Sequence, residues 1–202
     1  MVCSRCIIVA SGPSARGFEP PADVLVIAVN GAIDWLSRAH WFFTLDPSIA
    51  NLKRLATPRH GVLYAVAFPA TLGLPDHVLQ FERYAAWGQE PSTMGSPEWW
   101  FWRWSAVSGL STDPNRINTG NSAYGALGLA FHLGCKQVAL VGVDATADER
   151  IEGGHPNNLS HLPLLFASAR EQIDVTSCGL MGGIPHMELL EWLEKTSPSS
   201  SR

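Results

Sequence analysis

The chain has 202 residues, 46% hydrophobic and 16% charged, with 14 basic against 18 acidic side chains and a formal net charge of −4. That length suits one domain with one sizeable core, and the acidic balance offers no general attraction to nucleic acid or anionic lipid. No apolar run approaches the roughly 20 residues of a membrane span, and no charged segment followed by a cleavable apolar one opens the chain; a cytoplasmic location without membrane partners is expected.

The first element is the apolar run CIIVA, which leads into the small-residue loop SGPSARG at 11–17. This loop has neither the three spaced glycines of a dinucleotide fingerprint nor the Lys-Ser/Thr of a P-loop. Cys3 and Cys6 form a CxxC that precedes a strand rather than a helix, and the other two of the four cysteines, Cys135 and Cys178, form no second pair. Free thiols in a reducing compartment are the expectation.

Continuous apolar runs follow at VLVIAVN (24–30), WFFTLD (41–46), VLYAVAF (62–68) and QVALVGVD (137–144), the pattern of strands buried on both faces. Between them GAIDWLSRA and PSIANLKRLA read as short helices, and SAYGALGLAFHLG (122–134) as the longest, with Gly134 as its C-cap. LPLLFASAREQ then leads into a strand at IDVTSC, and PHMELLEWLEK reads as a last amphipathic helix with Pro185 at its start. Such alternation predicts an α/β fold, a mostly parallel sheet with helices on both faces, in a single domain over 1–195. Residues 196–202, from TSPSSSR, read as a disordered tail.

The segment at about 85–115 breaks the alternation. It is turn-rich and holds five of the eight tryptophans, which is long for a structureless connection. WWFWRW within it reads either as a plug on a core edge or as an acceptor platform in a mobile lid, with Trp99, Trp100 and Trp102 stacking on a sugar or base beside Arg103.

In a doubly wound sheet, ligands sit outside the carboxyl ends of the strands where strand order reverses. The first strand ends at Ser11, Gly12, Pro13 and Ser14, the second at Asn30, the third at Asp46 and the fifth at Asp144. Hydroxyls, an amide and two carboxylates along one sheet edge point to a ligand crevice; helix capping is the competing role for the serines. A further signal is RINTGNSAYGA (116–126), where Asn118, Thr119 and Gly120 lead into the longest helix, whose free amides and positive dipole end suit an anion.

The order IIVASGPS, VIAVNGA, WFFTLDPS and RINTGNSAYGALGLAFHLGCKQVALVGVDA resembles the family-42 bacterial sialyltransferases and the related motility-accessory-factor group (domain of unknown function 115), with its pterin pyrophosphokinase-like branch. The resemblance covers about residues 5–175. It implies a Rossmann-like domain and a nucleotide-activated donor, cytidine monophosphate-sialic acid in the best-known members. Ser11, Gly12, Pro13 and Ser14 match the loop lying against the nucleotide, and Asn30 a residue near the donor phosphate or sugar. Asp46 stands where the sialyltransferases carry Asn. Arg116 and Thr119, with Asn118 and Gly120 beside them, match the helix-start residues near the phosphate, and Asp144 the acid by the ribose.

This chain departs from the family in having Ser11 where Asn is usual, and no tyrosine after Asp144 to help the phosphate leave. The helix amides near Thr119, the Thr146 hydroxyl, Arg116 or a divalent metal are the candidates for that role. The family's general base is a histidine after the strand ending in Asp144; here His161, just before a helix, is preferred to His155, which follows Gly-Gly. Asp144, Asp148, Glu149 and His155 could together hold a metal such as magnesium, but their irregular spacing is a weak signal for one.

Two functions are carried forward. One is a glycosyltransferase-like enzyme that moves a sugar from a nucleotide-activated donor to an acceptor hydroxyl, with no cofactor required. The other is a magnesium-dependent pyrophosphokinase-like, or non-catalytic, nucleotide-binding protein. The expected partners are a nucleotide-sugar donor and an acceptor that is a small molecule, a protein glycan or a phage-type modified base in DNA. Homo-oligomerisation is left open.

Overall fold

A computed structural model describes residues 4–69 and 72–197. Seven strands form one wholly parallel sheet: β1 (Arg5–Val9), β2 (Leu25–Val29), β3 (Trp41–Thr44), β4 (Leu63–Val66), β5 (Val78–Gln80), β8 (Gln137–Val141) and β9 (Asp174–Ser177). β6 (Glu82–Tyr84) and β7 (Arg116–Asn118) pair with each other alone. The order β5-β4-β3-β2-β1-β8-β9 places the topological switch between β1 and β8. Both neighbours of β1 run parallel to it, with Val9 in register with Ala28 and with Val141. The loops leaving β1 and β8 therefore diverge above the same edge, which opens a crevice there.

Helices cover both faces, as the alternation predicts. α4 (Ser122–His132) and α5 (Leu162–Ala167) close one core, around Ile8, Phe43, Tyr124, Leu127, Leu140 and Phe166. On the other face α1 (Ala32–Trp35), α2 (Ile49–Ala56) and α6 (Leu189–Thr196) supply Ile33, Leu55 and Trp192 to a second core around Val9, Phe42 and Val141. No helix among the described residues is long and apolar enough to cross a membrane.

Three sequence readings change. The segment at 85–115 is not wholly irregular: α3 (Pro97–Arg103) forms there, started by Ser96, whose hydroxyl accepts from the Trp99 amide, and by Pro97, whose ring fixes a helical φ. The last helix begins at Leu189 rather than Pro185. Ser177 N donates to the Pro185 carbonyl and Met187 N to Ser177, so residues 185–187 run extended beside β9. That helix also takes in Thr196, the first residue assigned to the tail; 198–202 lie outside the described residues, as does Cys3 of the CxxC. Cys6, its partner in the motif, is buried inside β1.

Candidate functional site

The loop SGPS is built around Asp144. Ser14 donates to the Asp144 carboxylate from its amide (2.9 Å) and from its hydroxyl (2.7 Å), and Leu180 N donates to the same carboxylate at 2.7 Å. The Ser14 hydroxyl also accepts from Gly142 N at 3.0 Å. Asp144 is 4% exposed, so these bonds are what make a buried carboxylate tolerable. A Cβ on Gly12 would lie 2.4 Å from Asp144 Oδ2 and 2.6 Å from the Gly142 carbonyl, so the loop after β1 can approach β8 only with glycine there. Ser14 and Asp144 thus lock the two diverging loops together. Their polar groups serve that lock first, although Asp144 still borders the crevice.

Two adjoining cavities fill the crevice. The inner one, about 80 Å³, is walled by Ser11, Gly12 and Pro13 from the β1 loop, Asn30 after β2, and Asp144 after β8. The outer one, about 400 Å³, is walled by Asn30, Asp46, Gly120, Asn121 and His161, together with Arg83 and Trp104. Asn30, Asn121, Arg150 and Leu159 belong to both and form the divide. Asn30 sits there in the left-handed region at φ 52°, a conformation Asn tolerates better than most residues. Its Oδ1 accepts from Asn51 Nδ2 at 3.3 Å, which fixes the amide.

α4 points its amino end at the divide. Asn121 caps it, Oδ1 accepting from Ala123 N at 2.7 Å, and Ser122 Oγ accepts from Leu45 N at 3.1 Å, tying the helix start to the end of β3. The first-turn amides and the positive end of the helix dipole therefore border both cavities.

One residue in each cavity wall holds a buried polar atom without a hydrogen-bond partner. Ser11, 7% exposed, has a buried hydroxyl with no hydrogen-bond partner and lines the inner cavity. His161, 1% exposed, lines the outer one. Its Nε2 lies 3.3 Å from the Gly120 carbonyl, which can only accept, so Nε2 carries the proton and Nδ1 is left with a bare, buried lone pair. Burial lowers the His161 pKa, opposed by the Gly120 hydrogen bond, and keeps the ring neutral. Buried donors and acceptors without partners are uncommon in native proteins, and two of the four among the described residues belong to the walls of these cavities, the others being Trp35 Nε1 and Arg116 Nε.

Other expected site residues lie elsewhere. Arg116 donates to both Glu82 oxygens and stacks over the Tyr84 ring at 5.1 Å. Asn118 Nδ2 donates to the Gly109 carbonyl at 2.8 Å. Thr119 is fully buried, its hydroxyl donating to Ser105 O and its amide to Tyr84 O. β7 and the residue that follows it carry these three side chains away from the crevice to bind the 105–110 loop and β6; only Gly120 and Asn121 arrive. His155 is exposed, held by the Ala147 carbonyl at 3.0 Å, and borders neither cavity.

The tryptophans of α3 pack among themselves. Trp99 is 9% exposed and meets Trp100 edge-on at 4.9 Å, with its indole N–H on Glu90; the Trp102 N–H binds the Gly88 carbonyl. Neither these three nor Arg103 lines either of the two cavities, whereas Trp104, stacked on Trp100 at 6.0 Å, lines the outer one. Arg83, Trp104 and Arg150 are therefore site residues that sequence reasoning missed. Arg150 carries the clearest signal in the sequence, a lone cation just before the Gly153-Gly154 turn. Among the described residues no three His, Cys, Asp or Glu side chains gather as a metal site.

The fold has a solved counterpart. The chain matches the structure of the MAf glycosyltransferase from Magnetospirillum magneticum AMB-1 with a TM-score of 0.54 and 14% identity. The match covers 93% of this chain and 34% of that one, so this chain spans about a third of the length of that enzyme. At this identity the likeness is one of fold. No protein-family model matches the chain, and no curated protein matches it in sequence.

Proposed function

We propose that this protein is a glycosyltransferase that moves a sugar from a nucleotide-activated donor to an acceptor hydroxyl. The observation that carries this reading is the pair of cavities at the β1/β8 switch, each with a wall residue that holds an unpartnered buried polar atom and both bordered by the amino end of α4. A fold shared with a glycosyltransferase supports it. The inner cavity takes one ring of the nucleotide, whose hydroxyl or amino donors suit the acidic Asp148 and Glu152 in its wall. Phosphate and sugar then lie toward the outer cavity, where Arg83 and Arg150 outnumber Asp46.

His161 is the general base of this reading. Its bare Nδ1 takes the proton of the acceptor hydroxyl as the oxygen bonds to the anomeric carbon. The bond from that carbon to the phosphate oxygen breaks, and its electron pair stays on the phosphate. A sialic acid activated as its cytidine monophosphate is the donor suggested by the family resemblance. The acceptor is a small molecule, a protein glycan or a modified DNA base.

Calorimetric titration with cytidine, uridine, guanosine and adenosine mono- and diphosphates, with and without magnesium, tests the reading. Binding of one base in preference to the others, without need of metal, is expected. Absence of binding to all of them contradicts a donor site, and binding of adenosine nucleotides only with magnesium favours the pyrophosphokinase-like alternative.

A further inference from the structure

The proposed reaction needs a group that stabilises the departing phosphate, and no tyrosine follows Asp144 to do so. Arg116 is the obvious cation near the start of α4, but its guanidinium pairs with Glu82, lies over the Tyr84 ring and borders neither cavity. Arg83 donates to the Leu45 carbonyl at 3.2 Å at the far side of the outer cavity. Arg150 remains. It borders both cavities, and its guanidinium has no hydrogen-bonded or ionic partner among the described residues.

The backbone holds Arg150 at this point. Its N–H donates to the Gly154 carbonyl and its own carbonyl accepts from Gly153 N, each at 3.0 Å, closing a tight turn. Gly153 and Gly154 both take positive φ (89° and 76°), which this turn requires. Ile151 N donates to the Ser11 carbonyl at 2.9 Å, latching the turn to the β1 loop beside the orphaned Ser11 hydroxyl. The latched turn fixes where the backbone presents Arg150, across from the capped start of α4, and its exposed, unpartnered guanidinium is free to close on an anion.

Charge decides on which side of the divide a phosphate sits. The inner wall carries Asp144, Asp148 and Glu152, which repel it. Arg150 borders both sides, so the contrast comes from the rest: three carboxylates on the inner wall against one, Asp46, balanced by Arg83 on the outer. A donor that threads both cavities therefore has its phosphate at the divide, between Arg150 and the α4 amides.

We propose that Arg150 clamps the leaving phosphate of the donor at the divide between the two cavities, taking the place of a tyrosine hydroxyl. The inference rests on the nucleotide-sugar reading above. As the anomeric carbon–oxygen bond breaks, the phosphate oxygen that keeps the electron pair gains charge, and the guanidinium, which cannot lose its proton, stabilises it by charge-assisted hydrogen bonds.

The test compares wild type, Arg150→Ala and Arg150→Lys by calorimetry with each of the four nucleoside monophosphates and its parent nucleoside, with melting curves to establish folding. Wild type should bind the preferred nucleotide more tightly than its nucleoside. Arg150→Ala should lower nucleotide affinity by roughly 10- to 100-fold and leave nucleoside affinity unchanged, so narrowing that difference to what the α4 amides supply, with Arg150→Lys in between. Unchanged nucleotide affinity in Arg150→Ala overturns the clamp and leaves the nucleotide site standing. Loss of nucleoside affinity as well, in a protein that melts normally, assigns Arg150 to the architecture of the pocket and also overturns the clamp. A wild type that binds none of the nucleotides overturns both inference and reading.

Discussion

Asp144 accepts three hydrogen bonds, two from Ser14 and one from Leu180, and so joins the loops that follow β1, β8 and β9. An alanine there leaves three donors without their acceptor in a nearly closed space, at a cost of about 1–3 kcal/mol for each one that water cannot reach. Urea denaturation should show Asp144→Ala destabilised by at least about 2 kcal/mol; a change under 0.5 kcal/mol, roughly that of an ordinary surface substitution, contradicts the lock. His161 gives the pH signature. Burial lowers its pKa from the ordinary 6.5, so the unfolded chain takes up a proton before the native protein does. The stability from the neutral ring is complete above about pH 6.5, and it is lost as pH falls from there through the lower native value. His40 is lowered too, by burial and then by the Arg38 charge, so the informative quantity is the difference between wild type and His161→Gln. The variant should lose less melting temperature than wild type between pH 7 and 5, and parallel curves contradict the assignment.

At the scale of elements, α4 sets the crevice by lying close on the sheet. A Cβ on Gly125 would come within 2.6 Å of the Phe43 ring and 3.1 Å of Leu45 Cγ, and Phe43 is fully buried. Gly125→Ala gains about 1 kcal/mol of helix propensity but meets an overpacking cost of about 1–3 kcal/mol. A lower melting temperature is expected, and a rise would show that Phe43 yields. The long apolar strands and α4 are legible in the sequence because burial on both faces writes continuous hydrophobic runs. β5, β6 and β7 are not, since each has only three residues, and all three side chains of β6 are exposed, which leaves no periodicity to read. β7 overlaps RINTG, so Arg116, Asn118 and Thr119, which resemble the start of a helix, belong to a strand and the turn after it. α3 is masked by its turn-rich flanks, although Ser96-Pro97 is a start signal.

For the whole molecule, the two cores clamp a single parallel sheet, and its reversal at β1/β8 puts the cavities where the sequence places the polar strand ends. Ser11, Gly12, Pro13, Asn30, Asp46, Gly120, Asp144 and His161 do converge there. What the chain order could not reveal is which polar groups are consumed by the scaffold, as at Ser14, Asp144 and Thr119, and which cations arrive from distant segments, as Arg83 and Arg150 do. Those depend on side-chain pairing across the fold rather than on local pattern.

Under the proposed function, the paired cavities bind a nucleotide-sugar donor and His161 acts as the base of its cleavage. Hydrolysis of donor to free nucleotide requires no knowledge of the acceptor, because water takes its place. The decisive measurement is nucleotide release from a panel of cytidine-, uridine- and guanosine-activated sugars by wild type and His161→Ala, alongside the donor affinity of each. Wild type should cleave one donor class, and His161→Ala should be slower by roughly 10²- to 10⁴-fold with its donor Kd nearly unchanged. No release by a wild type saturated with any of the donors, or equal rates for the two proteins, would contradict the proposed function.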